Sequence, residues 1–181
     1  MEINASASRF VSEYANQTIR VYLYFAIGFL VPFTIGHPQE LVGVVVNATL
    51  IVAALQLDSY KEVIPLLFAP SLGVLARGLI FGPYTPFLAI MLPFIWIGNA
   101  LLVVGIRELI ANRNQNYWIS LGASSLAKSG FLFGSAFALV SLSIVPAIFL
   151  MTMGATQLIT ALAGGCLAFG IVKLGYLTKT N

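Results

Sequence analysis

The chain has 181 residues, of which 59% are hydrophobic and 8% charged, with a formal net charge of +3. A soluble domain carries roughly 25% charged residues, so this composition excludes a water-soluble fold of ordinary surface chemistry. One histidine, His37, and one cysteine, Cys166, exclude an internal disulfide, a multi-ligand zinc site and an iron–sulfur cluster.

A membrane-spanning helix needs about 20 apolar residues. Apolar runs bounded by charged or turn residues predict six of them. Residues 1–17 are polar, with no apolar stretch ahead of a small-residue cleavage site. They are expected to be a cytoplasmic segment rather than a removable signal peptide. The first span runs from Thr18 to Ile35 and stops at Gly36-His37-Pro38. The second runs from Leu41 to Leu57 and stops at Asp58. The third runs from Val63 to Ile80, with Pro65 in its opening turn, and closes at Gly82-Pro83-Tyr84. Its prolines Pro65 and Pro70 and its glycines Gly73 and Gly78 allow an irregular or partly re-entrant path. The fourth runs from Phe87 to Ile106, with Pro93 inside it, and a polar loop follows from Arg107 to Asn116.

The apolar stretch from Tyr117 to Tyr176 is too long for one crossing at about 1.5 Å per residue. It suits two helices, with Pro146 as the joint. Residues 18–176 then form one six-helix transmembrane domain and 177–181 a cytoplasmic tail. This fills the chain and leaves no mass for a soluble engine, and no P-loop is present.

Charge sets the orientation. With the N-terminus inside, the cytoplasmic ends hold seven basic residues (Arg9, Arg20, Lys61, Arg107, Arg113, Lys173 and Lys179), against Arg77 alone outside. This bias follows the positive-inside rule and predicts a multi-pass protein of the cell membrane with both termini cytoplasmic.

Polar residues inside apolar spans are costly and mark function by default. Lys128 sits about 11 residues into the fifth helix, near the bilayer middle. It either faces a cavity and an anionic or carbonyl-bearing ligand, or packs against backbone carbonyls and the serines one turn before it, Ser124 and Ser125. Asn47, Asn99 and Gln157 can serve a ligand through amide donors and acceptors, or act as interhelical glue worth about 0.6 kcal/mol each. His37 and Glu40 cluster with Gln39 in the first external loop, as a lid over a ligand or as a solvated turn. Arg77 and Tyr84 flank the third-to-fourth connection, and Arg77 can instead snorkel to headgroups. In the last helix Thr160/Gly164 and Ala161/Gly165 are small-xxx-small pairs that permit close helix approach, internally or to a partner.

Enzyme classes fit poorly. There is no H-E-x-x-H, no second histidine for haem, no G-x-S-x-G, and no acidic pair inside a span to hold magnesium.

The pattern of the whole chain resembles the substrate-binding S components of energy-coupling factor (ECF) transporters. Ala123-Ser124-Ser125-Leu126-Ala127-Lys128 is similar to a lysine-bearing helix in many of them. The stretch opening Ala155-Thr156-Gln157 and continuing to Gly164-Gly165 looks like the start of their last helix. His37-Pro38-Gln39-Glu40-Leu41-Val42-Gly43, followed by Asn47, resembles the first-loop passage of one uncharacterised branch. The resemblance implies an all-α, six-helix, S-component-like bundle. It also implies external capture of a vitamin-like micronutrient, and docking on a transmembrane coupling protein with two ATPase subunits. It calls for no cofactor, no metal and no nucleic acid. The first helix departs from the family pattern, with Ala26 and Gly28 in place of Ala-x-x-x-Ala. Ala69-x-x-x-Gly73 or the last helix is the alternative docking element. Two other readings remain: a stand-alone secondary transporter or channel, for which Glu40 is the one acid near the membrane, and a non-catalytic anchor subunit of a membrane complex.

Overall fold

The computed structural model describes residues 2–35, 37–78 and 84–179, with side chains described over 16–35, 37–78 and 84–174. Gly36 and the predicted close of the third span at Ile80 and Gly82-Pro83 lie outside the described residues.

The chain is all-helical. Helix α1 covers Glu2–Thr34, α2 Gln39–Gln56, α3 Tyr60–Arg77, α4 Thr85–Ile106, α5 Tyr117–Ser141, α6 Ile148–Met153 and α7 Ala155–Lys179. Four stretches are long and apolar enough to cross a membrane: Gln39–Gln56, Thr85–Asn112, Tyr117–Ser141 and Ile148–Leu174. Helices α1 and α3 are outside that set. The described part of α1 carries Asn16, Gln17 and Arg20, and α3 carries Lys61, Glu62 and Arg77.

Local chemistry explains most boundaries. Ser59 starts α3 with a capping box: its hydroxyl accepts from the Lys61 N–H at 3.2 Å, and the Glu62 carboxylate accepts from the Ser59 N–H at 3.1 Å. Asn116 caps α5 by accepting from the Trp118 N–H at 2.9 Å. Pro65 and Pro70 leave α3 helical through Arg77, so the described part of the third span is regular. Helix α4 does not stop at Arg107. It loosens into a π-helical turn, Arg107–Asn112, whose residues Asn112 and Arg113 bond the Glu108 carboxylate at 2.7 and 3.0 Å.

Two expectations are refined. Segment 1–17 is not a separate element, because α1 runs unbroken from Glu2 into the apolar part of the chain. The break in the long apolar stretch is wider than a proline kink. Helix α5 ends at Ser141, the connection containing Pro146 follows, and α6 forms a short helix before Gly154 interrupts it.

Helix α2 is the axis of the bundle. Val46 to Ala54 is buried without interruption, as expected for a helix apolar all round and covered on every face. The principal pairs are α2 with α7, α1 with α3, and α4 with α5. Small residues set the first two. A Cβ at Gly164 would come within 2.8 Å of both the Ala48 nitrogen and the Asn47 Cβ on α2. Gly165 faces Leu121 of α5 just as closely. Gly73 abuts the Phe29 carbonyl of α1, and a Cβ at Gly28 would meet the Ala69 Cβ at 3.4 Å. Ala69, Gly73, Gly164 and Gly165 thus pack within the chain. Tyr24 pins α1 to α2 by donating from its hydroxyl to Gln56 Oε1 at 2.6 Å. Tyr24→Phe is expected to lower stability by about 1 kcal/mol, read as a small shift in thermal unfolding.

Candidate functional site

A cavity of about 760 Å³, its open mouth included, lies toward one end of the bundle. Its walls come from the C-terminal halves of α1 and α3 and the N-terminal halves of α2, α4 and α7, with Lys128 reaching in from the middle of α5. Helices that alternate in direction bring those halves to the same end.

The floor is polar. Lys128 is 2% exposed, Asn47 1%, Asn99 3% and Thr160 2%, although they come from four helices. The Lys128 ammonium donates to Asn47 Oδ1 at 2.6 Å and to Asn99 Oδ1 at 2.9 Å. Asn47 Nδ2 donates to Thr160 Oγ1 at 3.2 Å, and the Thr160 hydroxyl donates back to the Thr156 carbonyl at 2.9 Å. Asn99 Nδ2 points to the Leu67 carbonyl at 3.4 Å. Each amide therefore turns its oxygen to the lysine and anchors its nitrogen elsewhere. The asparagines hold the ammonium, and one of the two N–H donors of each is already committed.

An ammonium has three donors. Two of those on Lys128 are used, and among the described residues the third meets no acceptor. No carboxylate lines the cavity among the described residues. Ser124 and Ser125, expected as packing partners for the lysine, are buried with no hydrogen-bond partner and leave Lys128 to the amides. A cation in the apolar interior without a counter-ion is expensive. The arrangement is suited to accept an anionic or carbonyl oxygen.

The walls are aliphatic, with Pro32, Val46, Val74, Leu92, Ile95 and Met153 among them, and no aromatic side chain lines the space among the described residues. Gln157 lines the cavity toward the mouth with Thr156 and Gln39. Ser71 also lines it and accepts from the Trp96 indole at 2.6 Å.

The other expected residues fall differently. Tyr84 lines a neighbouring space of about 450 Å³ between α4 and α6, which shares Gln39, Leu88 and Met153 with the main cavity. The Arg77 guanidinium donates to the Phe33 and Thr34 carbonyls at 3.3 and 2.8 Å and so closes the last turn of α1. His37 and Glu40 are exposed and line neither space. Glu40→Ala is expected to change ligand affinity by less than about twofold, measured by titration beside the unaltered protein. Sequence reasoning missed Gln39 as a lining group in its own right, together with Ser71, Thr156 and Thr160. Hydroxyls commonly bond their own helix and give no distinctive signal.

Fold and site together define a helical protein with several apolar membrane-length helices and a polar-floored cavity open at one end. Compared with family models, curated proteins and solved structures, the chain matches none.

Proposed function

We propose that the protein is the substrate-binding subunit of an ECF-type, ATP-driven uptake transporter. It would cross the cell membrane six times with both termini cytoplasmic and capture a vitamin-like small molecule at the external face. The observation that carries the reading is the Lys128–Asn47–Asn99 cluster on the floor of the cavity, with one lysine donor uncommitted. The charge asymmetry supports the orientation. The cavity end carries Arg77 as its basic residue, whereas Arg20, Lys61, Arg107, Arg113 and Lys173 gather at the other end. With α1 and α3 taken as spans, the alternation of helices supports an even number of crossings. The chemistry is binding, with no bond made or broken. Energy would come from a transmembrane coupling protein and two ATPase subunits.

Native mass spectrometry of protein purified from producing cells tests the capture step. A retained small molecule is expected, and its absence from protein that is folded and cavity-competent counts against capture. Uptake into cells or vesicles tests the coupling. ATP-dependent accumulation only when a coupling module is co-expressed is the expected result. Accumulation by the chain alone would favour a secondary transporter.

A further inference from the structure

The substrate of this cavity can be narrowed by its chemistry, taking the capture reading as given. We infer that the ligand is a small carboxylate with an aliphatic body, its carboxylate accepting from the third N–H of Lys128. Three features of the cavity converge on this.

The first is sign. Among the described residues the one charged group in the lining is Lys128, 2% exposed, with its two asparagine neighbours turned oxygen-first toward it. A bound carboxylate supplies the missing counter-charge, and a bound cation would meet like charge in a low-dielectric pocket. The helix geometry agrees. Gln39 opens α2, and Thr156 and Gln157 lie in the first turn of α7, so residues from the positive ends of two helices line the cavity.

The second is charge number. Phosphate groups are usually held by several charge-assisted donors, arginine above all. No arginine and no second lysine lines this cavity among the described residues. One ammonium matches one carboxylate.

The third is the body of the ligand. The walls above the floor are mainly Val, Leu, Ile, Pro and Met side chains, with no aromatic ring among the described residues against which a flat heterocycle could stack. Thr156 and Gln157 at the mouth can accept or donate one further hydrogen bond, which suits a short aliphatic acid with a polar group at its far end.

Trp96 provides the readout, because its indole bonds Ser71 in the cavity wall, whereas Trp118 is exposed and outside the lining. A Trp118→Phe protein in detergent is titrated with pentanoate, pentanamide and pentylamine, which match in size and differ in charge. Pentanoate is expected to change Trp96 emission and to bind at least about tenfold more tightly than pentanamide, with pentylamine weakest. Lys128→Arg is expected to keep that order, and Lys128→Met to erase the difference between acid and amide. If Lys128→Met does not fold, the three-probe comparison on the lysine protein decides alone. Equal binding of acid and amide, tighter binding of the amine, or no response to pentanoate overturns the carboxylate assignment. A neutral or cationic molecule retained in native mass spectrometry overturns the assignment too, and leaves capture standing. No retained molecule together with no response to any probe overturns both.

Discussion

Replacing Lys128 with methionine is expected to reduce ligand affinity by about 10- to 150-fold while the protein still folds. The loss corresponds to one charge-assisted hydrogen bond, roughly 1.5–3 kcal/mol. Stability should move less, because two effects oppose. Asn47 Oδ1 and Asn99 Oδ1 lose their donor, at a cost of about 1–3 kcal/mol per stranded group. The buried ammonium, which has no anionic partner, is removed at the same time, and that relieves a penalty of similar order. Titration of the retained molecule, beside thermal unfolding in detergent, checks both halves. Unchanged affinity in a folded variant would remove Lys128 from the site.

Gly164→Leu is expected to be strongly damaging to the bundle. Even a Cβ at this position would come within 2.8 Å of the Ala48 nitrogen and the Asn47 Cβ. Backbone cannot swing aside as a side-chain tip can, so α2 and α7 must separate. Overpacking of this kind costs about 1–3 kcal/mol, and more when backbones must part. The interface is also the one that seats Asn47 against Thr160 at 3.2 Å. The variant should therefore unfold at lower temperature and also lose ligand, in contrast to Lys128→Met. Gly170→Ala serves as the control, since a Cβ there meets nothing within 4 Å. A Gly164→Leu protein with unaltered unfolding would refute the packing described here.

The contrast between what the sequence revealed and what it hid follows from how much each group costs in lipid. Lys128, Asn47, Asn99 and Gln157 stand out because charge and amides are rare in apolar spans, and all four line one cavity. Their mutual orientation was not readable. That the asparagines turn their oxygens to the lysine depends on which way each amide faces across an interhelical gap. Thr156, Thr160 and Ser71 were invisible because a hydroxyl can satisfy itself on its own helix, as Thr160 partly does. His37, Glu40, Arg77 and Tyr84 were read from loops and helix ends, where a rotation of one residue decides between cavity and surface. Arg77 turns to the α1 carbonyls and Tyr84 to the neighbouring space. The main helices were legible because apolar runs of membrane length admit little else. Helix α6 was not, because six residues carry too little periodicity to separate it from α7, and the glycine between them reads equally well as helix packing.

The sheathing of α2 bears on timescale. Its amides from Ala48 to Ala54 are buried away from the cavity, so they should be among the slowest in the protein to exchange with deuterium. Asn47 directly precedes that segment, and through it the floor of the cavity keeps its shape before any ligand arrives. Little ordering entropy is then lost on binding.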